Sequence, residues 1–75
     1  MKKIDLFIEV VRQSNSYPYI KMVLEQEGKV IIYSDDSYNQ AFMHTNYIRL
    51  AEEMGLYAYI RYNHRLKKCY LYVFA

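Results

Sequence analysis

Residues 56–61 and 69–74 alternate between two kinds of side chain, and this alternation constrains the fold more than any other feature. One set is aliphatic or small: Leu56, Ala58, Ile60, Cys69, Leu71 and Val73. The other set is aromatic apart from one arginine: Tyr57, Tyr59, Arg61, Tyr70, Tyr72 and Phe74. Successive side chains of a strand point to opposite faces, so the pattern predicts an antiparallel hairpin over residues 56–74 with residues 63–67 as its loop. One face of this hairpin is aliphatic and the other is aromatic.

The length of 75 residues allows one small domain, residues 1–75, and excludes multi-domain architectures. A single cysteine, Cys69, excludes an internal disulfide framework. Asp5 and Glu9 interrupt what would otherwise resemble a signal peptide, and no apolar run approaches the roughly 18 residues that span a bilayer. We therefore expect a soluble, cytoplasmic protein that does not act on membranes.

The net charge of +2 is unevenly distributed along the chain. Residues 1–55 carry six basic and eight acidic side chains, whereas residues 56–75 carry four basic and no acidic ones. The same twenty residues hold five of the ten tyrosines. Any recognition of an acidic partner is therefore expected to involve the predicted hairpin.

A central helix is predicted over residues 38–54. Ser37 and Gln40 have the spacing of a capping box, and Gly55 follows the last helical residue. The apolar positions recur at helical intervals: Met43, Tyr47, Leu50, Ala51 and Met54. This stripe is expected to pack against the aliphatic face of the hairpin.

The first 34 residues are more ambiguous. The apolar positions of residues 3–13 fit both the helical period and strand alternation, and the length of the segment favours a helix. The first interpretation of residues 17–27 is a helix, because Ser16 can cap it, Pro18 fits a first turn and Gly28 can end it. Residues 30–33 then form a short strand. The alternative makes residues 17–34 a second hairpin.

The resulting fold class is α+β. We predict an N-terminal helix or two helices, a short strand, the central helix and the C-terminal hairpin. The sheet has three strands, or four in the alternative, with the helices on one face. The aliphatic face would be buried first, which leaves the aromatic face as the outer one.

No catalytic or metal-binding constellation is evident. His44, His64 and Cys69 are too few and too irregularly spaced for a zinc site. The acidic pairs at residues 35–36 and 52–53 fit helix termini and a solvated face better than a divalent metal site. We expect no enzymatic activity, no catalytic residues, no metal and no cofactor.

The aromatic hairpin face favours a role in binding. It can be covered within the domain, dock a protein or a second copy of the chain, or stack unpaired bases. We favour docking of a protein partner through Tyr57, Tyr59, Arg61, Tyr70, Tyr72 and Phe74. The chain would then act by steric blocking, as a small inhibitor of the type that phages encode against host proteins. The alternative is a single-stranded nucleic-acid-binding domain with phosphate contacts from Arg61, Arg65, Lys67 and Lys68.

One segment bears on that alternative. The stretch from Ala51 to Leu56, after a helix and before a basic two-strand segment, resembles the single-stranded nucleic-acid-binding domains named for an Arg-x-x-x-His pair. The resemblance covers about residues 41–74 and implies a helix followed by a hairpin. At the positions of the defining pair, this chain has His44 and Ile48.

Overall fold

The computed structural model describes residues 2–15, 17–34 and 43–75 of the chain. Helix α1 spans Lys3–Arg12 and helix α2 spans Ile48–Glu53. Four strands follow a simple order along the chain: β1, Lys21–Gln26; β2, Lys29–Ser34; β3, Tyr57–Asn63; and β4, Lys68–Phe74. The predicted α+β class is confirmed.

The four strands form one antiparallel sheet in the order β1-β2-β4-β3. Two hairpins, β1–β2 and β3–β4, lie side by side and are joined through the pairing of β2 with β4. In this pairing Val30 lies opposite Val73, and Ile32 lies opposite Leu71. The register therefore brings the apolar positions of both central strands to the same face.

The first interpretation of residues 17–27 as a helix is wrong, and the alternative hairpin is confirmed. Pro18 lies in a 3-10 turn, Tyr17–Tyr19, and Gly28 forms the hairpin turn with a positive φ of 81°. The apolar spacing in this segment fits both the helical and the strand period, and pairing with β2 satisfies the backbone groups on the inner side of β1. The sheet consequently has four strands.

The prediction of a helix over residues 3–13 is confirmed by α1. Its inward stripe is buried: Ile4, Phe7, Ile8 and Val11. These side chains share the core with the covered face of the sheet, which includes Val30, Ile32, Leu71 and Val73. Burial of such side chains contributes roughly 1.5–3 kcal/mol each, so this contact is a main source of the stability of the domain.

The predicted central helix is confirmed over its described part. A π-type turn, Met43–Tyr47, leads into α2, and Tyr47 and Ala51 are buried. Gly55 ends the helix with a φ of 77°, and the backbone N–H of Leu56 donates to the carbonyl of Ala51. This is a Schellman arrangement, which turns the chain directly into β3. Ser37 and Gln40 of the predicted capping box lie outside the described residues.

A hydrogen-bond chain ties the end of α1 to the turn before α2. The Ser14 hydroxyl lies 2.7 Å from the Val11 carbonyl oxygen and 2.7 Å from the Tyr47 hydroxyl. A carbonyl can only accept, so the Ser14 hydroxyl donates to Val11 and accepts from Tyr47. Tyr47 is only 2% exposed, and a buried hydroxyl with such a partner fixes the relative position of the two helical segments.

Candidate functional site

The candidate site is the face of the sheet opposite the helices. The predicted hairpin residues Tyr57, Tyr59, Arg61, Tyr70, Tyr72 and Phe74 all lie on this face. Their exposure depends on the strand. On the edge strand β3, Tyr57 is 66% exposed and Tyr59 is 43% exposed, whereas the rings of β4 are partly buried.

Strands β1 and β2 contribute the half of this face that was not predicted from the sequence. Tyr33 pairs with Tyr70, Ile31 pairs with Tyr72, and Val23 pairs with Ile31. The alternation in β2 places Lys29, Ile31 and Tyr33 on one side of that strand. It does not reveal that β2 pairs with β4, which is what brings these residues beside the hairpin rings. Six rings form this surface, which we call the aromatic face: Tyr33, Tyr57, Tyr59, Tyr70, Tyr72 and Phe74.

The rings of the aromatic face stack on one another. Tyr59 and Tyr72, on neighbouring strands, have centroids 4.9 Å apart and ring planes within 9° of parallel. Rings lying side by side in one plane cannot approach so closely, so the two rings form an offset stack. Tyr57 stacks on Phe74 less closely, with centroids 5.6 Å apart and ring planes 23° from parallel. Each of these rings therefore gives one of its faces to a neighbour.

Cationic side chains occupy further positions over and around the rings. The Lys29 ammonium lies 5.7 Å from the Tyr72 centroid, on the side of β2, and the Lys68 ammonium lies 5.3 Å from the Tyr33 centroid. Such contacts are worth about 0.5–1 kcal/mol at exposed sites. Because Tyr59 approaches from β3 and Lys29 from β2, Tyr72 has contacts on both sides.

Charge is segregated between the two layers of the described chain. The sheet and its turns, residues 21–34 and 57–74, carry six basic and two acidic side chains. The helical segments, residues 2–15 and 43–56, carry four of each. Both acidic residues of the sheet layer form ion pairs, Glu25 with Lys29 at 3.3 Å and Glu27 with Lys2. The described sheet layer therefore has a net charge of +4.

The β3–β4 loop places two of the predicted phosphate contacts beyond the end of the sheet. The Asn63 side-chain oxygen accepts a hydrogen bond from the Leu66 backbone N–H at 3.0 Å, and Lys67 has a φ of 53°. Arg65 and Lys67 are exposed in this loop, whereas Lys68 lies over the aromatic face. Arg61 and Lys68 are thus brought to one surface, and the two loop residues flank it.

An open depression of about 630 Å³ adjoins this loop. It is lined by Arg61, Tyr62, Asn63, His64, Tyr70 and Tyr72. A guanidinium, an amide and tyrosine hydroxyls suit a carboxylate as well as they suit a phosphate. His64 is exposed and meets the Tyr62 ring edge-on at 4.8 Å. The residues that line the depression therefore carry hydrogen-bond donors of the kind that suit an anion.

Cys69 lies on the covered face, where it is 1% exposed, and burial raises the pKa of its thiol. A raised pKa disfavours the nucleophilic thiolate. Within residues 2–15, 17–34 and 43–75, no three His, Cys, Asp or Glu side chains lie close enough together to hold a metal ion. No helix in the described part of the chain is long and apolar enough to cross a membrane.

Comparisons with protein-family models, curated proteins and solved structures find no match to this chain.

Proposed function

We propose that this chain is a non-enzymatic binding module that docks a protein partner through the aromatic face. The observation that carries the proposal is the offset stacking of Tyr59 on Tyr72. Rings stacked in this way offer edges and hydroxyl groups to a partner, and not two free π-faces between which a base can insert. Edges and hydroxyls suit the mixed apolar and polar contacts of protein interfaces.

The charge of the face specifies the partner further. Lys21, Lys29, Arg61 and Lys68 all lie on the face, and the sheet layer carries a net charge of +4. The partner surface is therefore one with acidic side chains around an apolar centre. Docking would inhibit such a partner by blocking the surface that it covers. The exposed rings of Tyr57 and Tyr59 serve as anchors, and Arg61 fixes the orientation.

The experiment uses variants matched across the two sides of the molecule. Tyr57→Ala and Arg61→Glu alter the docking face, whereas Leu6→Ala alters an exposed position of α1, where Leu6 is 49% exposed. A partner captured with the wild-type chain is purified, and its affinity is measured by calorimetry for each variant. We expect Tyr57→Ala and Arg61→Glu each to weaken binding at least tenfold, or about 1.4 kcal/mol. Equal affinities for all variants would contradict the proposal.

The alternative function is binding of single-stranded nucleic acid on the same surface. It is favoured by the basic residues Arg61, Arg65, Lys67 and Lys68 and by the resemblance to the Arg-x-x-x-His domains. At the second position of that pair, however, Ile48 is packed against the core. Four phosphate contacts to a single strand would weaken binding by about 50-fold between 50 and 200 mM salt. Fluorescence anisotropy with labelled oligonucleotides measures this directly, and no binding at low salt would exclude the alternative.

A further inference from the structure

The two edges of the sheet differ in how well they are protected from pairing with another strand. At the β1 edge, the register of β1 against β2 shifts between Leu24 and Gln26. The six residues of β1 also include a lysine and a glutamate. Bulges and charges of this kind prevent edge-to-edge association. At the β3 edge, seven residues pair with β4 without any shift, and Arg61 is the one charged residue among them.

The outer side of β3 has no backbone partner among the residues that the structure describes. An unprotected, regular edge of this length is a template for a further strand. We propose that β3 pairs in antiparallel fashion with β3 of a second copy of this chain, about a two-fold axis at Ile60. Two four-stranded sheets are thereby joined into one of eight strands with a continuous aromatic face.

Self-complementarity of β3 identifies the second copy as the occupant. With the axis at Ile60 all seven residues pair, and any other register leaves some of them unpaired. On the aromatic face, Tyr59 then lies opposite the partner subunit's Arg61, which brings a cation over an aromatic ring twice in the dimer. An axis at Arg61 would instead place two guanidinium groups opposite each other.

The covered side of the sheet gains apolar contacts in the same register. Ile60 lies opposite the partner subunit's Ile60, and Ala58 lies opposite the partner subunit's Tyr62. Tyr62 is 43% exposed in the single chain, and Ile60 is partly buried. Pairing removes both from water, so one register satisfies the backbone groups, places each Arg61 over an aromatic ring and buries apolar surface.

Sedimentation of the isolated protein tests the proposal with charged variants at Tyr59 and Arg61. The measurement does not depend on the protein partner proposed above. Tyr59→Lys places a lysine opposite the partner subunit's Arg61 at two symmetric positions, and we expect it to weaken the dimer about tenfold. Tyr59→Lys combined with Arg61→Glu places opposite charges across the interface instead of the ring and the cation, and we expect an affinity within about threefold of the wild type. The matched control is Val23→Lys, on the same face at the β1 edge, which leaves the dimer unchanged.

Amide hydrogen exchange of the wild-type chain at low and high concentration provides a second measurement that needs no variant. In the dimer, alternate amides of β3 gain protection with concentration, and those of β1 do not. A chain that stays monomeric up to about 1 mM would overturn the proposal. Equal weakening by Val23→Lys and Tyr59→Lys, or no recovery in the double variant, would also overturn it.

Discussion

Replacement of Tyr72 by alanine is expected to destabilise the fold strongly, although Tyr72 lies on the face without helices. Tyr72 stacks on Tyr59 at 4.9 Å, which is worth about 0.5–1.5 kcal/mol, and contacts the Lys29 ammonium, worth about 0.5–1 kcal/mol. Loss of the partly buried ring adds to both terms. We expect Tyr72→Ala to lower the free energy of unfolding by about 2–3 kcal/mol and the melting temperature by about 10–15 °C.

The comparison variant is Tyr57→Ala. Tyr57 is two-thirds exposed and has one stacking contact, with Phe74, so its removal is expected to cost about 0.5–1 kcal/mol. Urea denaturation followed by circular dichroism measures both values, and Tyr72→Phe, which keeps the ring, should stay within about 0.5 kcal/mol of the wild type. Equal destabilisation by Tyr72→Ala and Tyr57→Ala would show that the ring contacts of Tyr72 do not stabilise the fold.

Three further predictions concern the core and its connections. A double-mutant cycle on Ser14→Ala and Tyr47→Phe should give a coupling free energy of about 0.5–1.5 kcal/mol in urea denaturation, and additive effects would argue against their hydrogen bond. Gly55→Ala should lower stability by about 1–2 kcal/mol because its φ of 77° strains any L side chain, and an unchanged denaturation midpoint would contradict this. Burial raises the pKa of the Cys69 thiol, so the folded chain holds this proton at alkaline pH where the unfolded chain releases it. The contribution of Cys69 to stability is therefore present below the thiol's ordinary pKa and is lost as the pH rises through the raised pKa. If a Cys69→Ser variant shows the same alkaline loss of stability, the thiol is not its cause.

Much of the fold was predictable because local patterns and tertiary contacts agree. The stripe of α1, with Ile4, Phe7, Ile8 and Val11, is the one that the core uses. The C-terminal hairpin was predicted to within a residue at each strand, since its alternation leaves no competing period. Where one pattern dominates, the sequence determines the element.

Residues 17–27 were not predictable in the same way. Pro18 and Gly28 are compatible both with the ends of a helix and with the ends of a strand, and the apolar spacing fits either period. Pairing with β2 decides between them, and it depends on residues 29–34. The contribution of Tyr33 to the aromatic face was missed for a related reason, because it requires the register of β2 against β4. Neither feature is encoded within a single segment.

The strand order also has a consequence for folding kinetics. Both hairpins are local in sequence, whereas the pairing of β2 with β4 closes a loop of more than thirty residues. Among the strand pairings, this step has the largest loop-closure entropy, so β2–β4 contacts should form in the rate-limiting transition state. Substitution of Ile32 or Leu71 by a smaller residue should then mainly slow folding, whereas changes in the edge strands should mainly accelerate unfolding. The central pair of strands would act as the nucleus onto which the two edge strands and the helices condense.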